Sequence, residues 1–288
     1  MRWTLVLIPI LLIAAACGTA ATPDTTSTTS PIATTTVPPG SVDPCVSGDL
    51  DFDTDGLVAA LGESVSDATR IDGIRWDDHD TCERITVSFT TDRGAPAASL
   101  GVTGVTVLAY SGLVRIALPD DIAGSAVADM LMDGDVAQSA YVVSDVAGKL
   151  LIDIHGVDDT AIAARAFTTT SPVTLVIDLI IDSEGTPPIG SSKSNSAVIV
   201  APPPGPALYP LTVEAYAAPA VYSARIQLER EDVVSVDLTV SVPGRGDTWQ
   251  LITTRIDDGP SGATTLFVGQ MDANDRPIDG APTSLDLP

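Results

Sequence analysis

The chain has 288 residues, and its 38 acidic side chains against 14 basic ones give a formal charge of −24 at pH 7. Nucleic acids and anionic bilayer surfaces are bound by positive patches, so this charge argues against both as partners. The residues after position 44 are numerous enough for two domains of ordinary size.

The first 17 residues, MRWTLVLIPILLIAAAC, have the layout of an export signal. Arg2 precedes an apolar run from Trp3 to Ile13, and small residues follow that run. The run is shorter than the roughly 20 apolar residues that span a bilayer. Residues 1–17 are therefore predicted to be a signal peptide and not a membrane-spanning helix.

The small residues end at Cys17, and this junction resembles the lipobox of bacterial lipoproteins. In that family the cysteine receives a diacylglyceryl group and becomes the new N-terminus. Ala14 departs from the pattern, which usually has leucine or a relative there. The resemblance implies an exported protein at the outer face of the bacterial cell membrane, attached only by the lipid on Cys17. An ordinary signal peptide, cleaved near an incidental Cys17, is the alternative.

Residues 18–44 are mostly Thr, Ser, Ala and Pro, and they have no periodic apolar pattern. Such a composition cannot bury enough apolar surface to offset the entropy lost on ordering. We expect a disordered tether that holds a folded region away from the membrane.

Two cysteines remain after Cys17, at Cys45 and Cys82. Disulfides persist outside the cytoplasm, so an exported chain with one such pair is expected to link it. The bond would contribute roughly 3–4 kcal/mol on a chain-entropy argument. Two free thiols are the alternative.

The stretch DLDFDTDG, residues 49–56, has an acidic residue at every second position. Asp51, Asp53 and Asp55 would occupy positions 1, 3 and 5 of an EF-hand-type calcium loop. Position 12 should supply a bidentate carboxylate, but it holds Gly62. We therefore interpret the acidic run as the cap of a following helix, and a weak calcium site is the alternative.

Residues 45–182 contain two kinds of apolar pattern. Alternating or continuous runs rich in Val and Ile predict strands at 84–89, 104–119, 139–156 and 172–181. Turns are expected at Ser111-Gly112 and Ala147-Gly148. Helical spacing or acidic starts predict short helices at 56–65, 120–132 and 158–167.

Several short matches, in a fixed order, make residues 70–182 similar to the AMIN-like domain of actinobacterial lipoproteins. The matching stretches are IDGIRWDDHDTCERITVSF, YVVSDVAGKLLIDIH and AARAFTTTSPVTLVIDL. Counterparts of the family's residues are Arg84, Tyr141, Asp153, His155, Arg165, Phe167, Ser171, Pro172 and Asp178. The resemblance implies a β-rich, non-catalytic module that localises an exported protein to the cell wall.

Residues 183–196 are rich in Ser, Gly and Pro and are predicted to be a linker. Beyond them, residues 197–288 alternate β-type runs with turn residues at about ten-residue spacing, which indicates a small sandwich. The stretch PPPGPALYPLTVEAYAAPAVYSARIQL resembles the immunoglobulin-like domain of bacterial spore-germination and sporulation proteins. The family's glycine after the Val213 strand is missing.

Together these patterns predict a mainly β chain. A β-rich AMIN-like domain with short helices would occupy residues 45–182, and an immunoglobulin-like β-sandwich would occupy residues 197–288.

The sequence has little that indicates catalysis. Its two histidines, His79 and His155, are too few for a zinc amidase, which needs several His and Glu ligands. No nucleophile elbow or phosphate-binding loop is present. We expect no enzyme activity and no cofactor, although a carboxylate dyad could arise among so many acidic residues.

The function we expect is binding of cell-wall polymer (peptidoglycan) by the AMIN-like domain. Aromatic faces suit sugar rings, so Trp76, Tyr110 and Tyr141 are the candidate contacts, with core packing as the alternative for each. A second hypothesis is an accessory or regulatory subunit that binds another exported protein through the immunoglobulin-like domain.

Overall fold

The computed structural model of the protein describes Cys45, residues 51–242 and residues 246–288. They lie in a compact unit that spans Ser41–Pro288. The predicted signal peptide, Cys17 and the tether over 18–44 lie outside the described residues. In the part of the chain that is described, no helix is long and apolar enough to cross a membrane.

The mainly β prediction is confirmed. The first region, up to Ile181, contains the strands β1 (Gly56–Leu61), β2 (Arg70–Asp78), β3 (Glu83–Thr90), β4 (Thr103–Leu108), β5 (Leu113–Ala117), β6 (Gly124–Ser125), β7 (Asp129–Leu131), β8 (Ala137–Ser144), β9 (Leu150–Gly156), β10 (Ile162–Thr169) and β11 (Thr174–Ile181). A 3₁₀ helix, Ala109–Ser111, joins β4 to β5.

The second region continues with β12 (Ser192–Lys193), β13 (Ala197–Ala201), β14 (Gly205–Pro206), β15 (Leu211–Ala217), β16 (Ser223–Arg230), β17 (Val233–Ser241), β18 (Trp249–Ile256), β19 (Gly262–Met271) and β20 (Pro277–Leu287). The short strand β12 lies inside the predicted linker, where it pairs with β13. Part of that linker is therefore part of a sheet.

One ten-stranded sheet contains strands from both regions. Its order is β1-β4-β5-β9-β8-β18-β15-β13-β12, with β7 paired to β8 beside this path. The two regions join through the parallel pair β8–β18, where Trp249 lies opposite Val143 and Gln250 lies opposite Ser144. Two five-stranded sheets complete the fold, β10-β11-β3-β2-β6 in the first region and β14-β20-β19-β16-β17 in the second.

The first hydrophobic core belongs to the first region alone. On β3 the buried residues Ile85, Val87 and Phe89 alternate with half-buried ones, as the two-residue period of a strand requires. They belong to the same cluster as Val114 and Ile116 of β5. The opposite face of β5 is therefore free to contact the second region.

The second core extends across both regions. It contains Val213 of β15 and Ile226 of β16, together with Leu113, Tyr141 and Val143 from the first region. Apolar burial of this extent is the main stabilising contribution to a contact between two regions. The two regions are therefore packed together and not only tethered.

The ten-stranded sheet folds back on itself. Strands β5 and β15 are four spacings apart in the sheet order. At about 4.8 Å per spacing, a flat sheet would separate them by about 19 Å. Arg115 Nη2 on β5 nevertheless lies 2.8 Å from Glu214 Oε1 on β15. We call this contact of β5, β8 and β9 with β15 and β18 the seam.

The three predicted helices are wrong. Residues 56–65 contain β1, residues 120–132 contain β6 and β7, and residues 158–167 contain most of β10. In β10 the run from Ile162 to Ala166 is buried on both faces, so the burial pattern has no two-residue period. Pairing with neighbouring strands outweighs the helix propensity of its alanines.

The two predicted turns are confirmed. Gly112, with φ of 60°, ends the 3₁₀ helix between the paired strands β4 and β5. Gly148, with φ of 84°, lies in the turn between β8 and β9, which also pair antiparallel. Only glycine adopts such backbone angles without steric cost.

The predicted disulfide between Cys45 and Cys82 is confirmed, with the two Cα atoms 5.9 Å apart. It links Cys45 to the start of β3. Arg165 Nη2 donates a hydrogen bond of 2.7 Å to the Cys45 carbonyl, which fixes the same residue a second time. The sulfurs also lie near the Asp178 carboxylate, but as disulfide sulfurs they are not thiolate ligands.

Candidate functional site

Tyr110 lies at an open groove of about 490 Å³. We call it the Tyr110 groove. Its lining residues come from the segment before β1, the 3₁₀ helix, the start of β10 and the chain after β11: Thr54, Asp55, Ala109, Tyr110, Ala161, Ile162, Asp182, Gly185, Thr186, Pro187, Pro188, Ile189 and Pro203. The groove therefore combines an aromatic ring, several prolines and two carboxylates.

The backbone around Tyr110 is held on two sides. Asp55 Oδ1 accepts a hydrogen bond of 3.4 Å from the backbone N–H of Ala109. A Cβ on Gly112 would lie 2.5 Å from Pro188 Cγ, so only glycine admits this close packing. The Tyr110 side chain itself stays 60% exposed.

Another part of the groove lining is built on a turn at Asp182. The Asp182 N–H donates to the Ala161 carbonyl at 2.8 Å, and Asp182 Oδ1 accepts from the Glu184 N–H at 3.1 Å. A Cβ on Gly185 would lie 2.4 Å from Asp182 Oδ2, which the missing side chain avoids. Within the described residues, neither Asp55 nor Asp182 forms a salt bridge. Carboxylate oxygens with free acceptor capacity therefore line the groove.

The other two predicted aromatic contacts lie elsewhere. Trp76 is partly buried against the first core, and its Nε1 donates to Glu83 Oε2 at 3.0 Å. Tyr141 is 6% exposed and lies in the seam. The structure does not bring the three aromatic residues together, and the positions of Trp76 and Tyr141 match the core-packing alternative.

The acidic run does not cap a helix, because β1 begins at Gly56. Instead, the Asp53 N–H donates to the Ala164 carbonyl at 2.8 Å, and the Ala164 N–H donates to the Asp53 carbonyl at 2.9 Å. Among the described residues, Asp51, Asp53 and Asp55 do not form a group with converging ligand atoms. The weak calcium site stays an untested alternative.

The seam contains a hydrogen-bonded charge cluster that sequence patterns did not indicate. Arg115 Nε and Nη2 donate to the two oxygens of Asp153 at 3.0 and 2.7 Å. Arg115 Nη2 also reaches Glu214 Oε1 at 2.8 Å and the Tyr216 hydroxyl oxygen at 3.2 Å. The Tyr216 hydroxyl in turn donates to Asp153 Oδ2. Residues far apart in sequence thus cross-link both regions.

Burial sets the electrostatics of this cluster. It raises the pKa of the Asp153 carboxyl, and the hydrogen bond and charge of Arg115 oppose that effect. Burial alone would lower the pKa of Arg115, but Asp153 raises it well above its ordinary value. Burial and the Asp153 charge also raise the pKa of Tyr216, which keeps its hydroxyl a donor. The cluster therefore links the two regions, and each of its buried groups is stabilised by the hydrogen bonds and charges of the others.

Aromatic rings extend the seam beyond the charges. The Tyr141 ring lies edge-on to His155, with centroids 5.3 Å apart, and edge-on to Trp249 at 4.9 Å. Trp249 Nε1 donates to Asp129 Oδ2 at 2.7 Å. Such edge-to-face pairs add to the stability gained from area burial.

His155 is buried in the seam with 1% of its surface exposed. Its Nδ1 lies 3.2 Å from Ser191 Oγ, and no described residue forms a hydrogen bond with its Nε2. Burial, followed by the positive charges of Lys193 and Arg115, lowers the pKa of His155 from 6.5 to about 3.

Acidification from about pH 7 to about pH 4.5 is expected to cost roughly 2.5 kcal/mol of folding free energy through His155 alone. The unfolded imidazole takes up a proton below pH 6.5, whereas the folded one does so only near pH 3. Urea unfolding at both pH values should show this loss in the wild type and its absence in His155→Gln. An equal pH-dependent loss in both proteins would contradict the assignment.

Comparison with family models, curated proteins and solved structures gives no match to the chain.

Proposed function

We propose that the protein is a non-catalytic, lipid-anchored protein of the cell envelope that binds cell-wall polymer through its first, AMIN-like region. The observation that carries this proposal is the exposed ring of Tyr110 in a groove that Asp55 and Asp182 also line. The signal-like N-terminus and the lipobox resemblance at Cys17 support placement at the outer face of the membrane.

Glycan chemistry suits this groove. A sugar ring presents apolar C–H groups on its faces and hydroxyls at its edge. The face of Tyr110 would contact the C–H groups, and Asp55 and Asp182 would accept hydrogen bonds from the hydroxyls. The proline-rich wall at Pro187 and Pro188 loses little conformational entropy when a ligand binds, because its backbone is already restricted.

Tyr110→Ala is expected to weaken the binding of soluble muramidase-released wall fragments about tenfold or more, as loss of a central aromatic contact does in other interfaces. Isothermal titration with the unit Ser41–Pro288 measures this change. Tyr222→Ala is the matched control, because Tyr222 is 70% exposed in the second region and does not line the groove. Equal affinity of the Tyr110 variant and the wild type would refute the assignment of this groove.

One feature of the second region favours the alternative, an accessory subunit that binds another exported protein. Strand β17 is at the edge of its sheet and pairs only with β16 among the described strands. Its residues Val233 and Val234 are 62% and 44% exposed. An open apolar edge can accept a strand from a partner. Co-purification of one exported protein by the wild type, but not by Val234→Lys, would favour this function.

A further inference from the structure

A second groove, of about 480 Å³, is lined in part by the seam residue Tyr141. We call it the Lys193 groove. Residues that line it include Leu131, Met132, Ser139, Tyr141, Lys193 and Asn195. None of them lines the Tyr110 groove. The Lys193 groove thus joins β7 and β8 of the first region to the segment around β12 of the second.

Among the described residues, Lys193 has no carboxylate partner. Its Nζ donates to the neutral amide oxygen of Gln138. No described acidic residue lies within salt-bridge distance of it, although the chain has 38 of them. Lys149, the other lysine of the chain, does pair with Asp120 at 2.7 Å. An ammonium group has three donors, so Lys193 keeps donor capacity beside the groove.

Burial also makes Lys193 receptive to an anion. It lowers the pKa of the Lys193 ammonium, and the charge of Asp158 opposes this only in part. A ligand carboxylate would restore the favourable charge interaction that burial removed, and it would do so where water screens it little.

A second donor is available at the same place. Ser139 is 1% exposed, and its hydroxyl interacts with the Tyr141 side chain but forms no hydrogen bond of normal geometry with a described residue. A buried hydroxyl without a well-formed hydrogen bond costs free energy, which a ligand acceptor would recover. Asn195 adds an amide at the groove, and Asp279 adds a carboxylate that can accept an N–H.

We propose that the Lys193 groove binds the terminal carboxylate of an acylated amino acid or peptide. Lys193 and Ser139 would hold the carboxylate, and Asp279 would accept the N–H of the terminal residue. Leu131 and Met132 offer apolar contact to a small side chain such as a methyl group. This ligand chemistry occurs both in the D-amino-acid peptides of bacterial wall and in the C-termini of ordinary proteins.

The two lysines allow a direct test. With ¹³C-labelled lysine in the unit Ser41–Pro288, Lys193 and Lys149 give separate side-chain signals. Titration with N-acetyl-alanyl-alanine is expected to shift the Lys193 signal and raise its pKa, while Lys149 does not change. The carboxamide form of the same dipeptide should cause neither effect. A Lys193 signal that does not respond at millimolar peptide, or responds equally to the carboxamide, would overturn the proposal.

Variants and stereochemistry complete the test. Lys193→Met and Ser139→Ala should each lower the affinity for the dipeptide at least about fivefold, and the matched control Lys149→Met should not.

Tighter binding of the D,D form supports a wall peptide as the ligand, and tighter binding of the L,L form supports a protein C-terminus. Tyr110→Ala should bind the dipeptide as the wild type does, so failure at one groove is separable from failure at the other. Unchanged affinity in both Lys193→Met and Ser139→Ala would overturn the proposal.

Discussion

Replacing Arg115 by methionine is expected to lower the free energy of unfolding by about 3–5 kcal/mol. The variant leaves the Asp153 carboxylate, which is 0% exposed, without its charge partner. It also breaks the link to Glu214 and Tyr216 across the seam. Urea unfolding of the unit Ser41–Pro288, followed by tryptophan fluorescence, measures the loss.

Two further variants separate the seam from ordinary surface charge. Glu214→Gln should cost no more than about 1 kcal/mol, because the Glu214 side chain is 26% exposed and water replaces part of its interaction. Adding Asp153→Leu to Arg115→Met should recover stability, since the double change leaves no unpaired buried charge. A loss below about 1 kcal/mol in Arg115→Met itself would contradict the structural role of the seam.

Removing the disulfide with the double change Cys45→Ala and Cys82→Ala is expected to destabilise the unit by about 4 kcal/mol. The bond joins residues 37 positions apart, and closing a loop of that length removes much of the unfolded chain's entropy. Urea unfolding of both proteins, with and without a reducing agent, measures the effect.

The reducing agent serves as the control for the disulfide. It should lower the stability of the wild type toward that of the double variant and leave the double variant unchanged. Equal stability of the two proteins under oxidising conditions would contradict the assigned contribution of the bond.

Strands with a clear two-residue period were predictable. In β3, Ile85, Val87 and Phe89 alternate with half-buried residues, and that alternation is visible in the sequence. In β10, Ala163, Ala164 and Ala166 are all buried, so the strand has no alternation. Alanine favours helix locally, and only the neighbouring strands decide the outcome.

The seam was not predictable, because it depends on contacts between distant parts of the chain. Arg115 donates hydrogen bonds to Glu214 and Tyr216, which lie 99 and 101 positions away in the sequence. In the sequence, the segment Glu214-Ala215-Tyr216 differs from the immunoglobulin-like pattern only in that the family's glycine is missing. In the structure, two of those three side chains complete the charge cluster with Arg115.

The Tyr110 groove was predictable in its parts and not as a whole. Tyr110 was a candidate because it is aromatic, and Asp55 was a candidate because it belongs to an acidic run. The hydrogen bond from the Ala109 N–H to Asp55 places the two residues at one groove. Asp182 lies at the end of the predicted first domain and Pro188 lies in the predicted linker, where no periodic pattern indicates a site.

The shared sheet affects how function should be measured. Preparing each region alone, with the chain divided within residues 183–196, would expose the buried seam residues Asp153 and Tyr216. It would also separate β8 from β18, which pair across the two regions. Functional tests should therefore use single substitutions in the whole unit and not isolated regions.

The most direct test of the proposed function is retention of Ser41–Pro288 on purified wall polymer, with calcium present or chelated. We expect saturable retention by the wild type and by Tyr222→Ala, and a marked loss in Tyr110→Ala. Loss on chelation would show that retention needs calcium and would revive the calcium alternative at Asp51, Asp53 and Asp55. No retention of the wild type under either condition would contradict wall binding as the function of this protein.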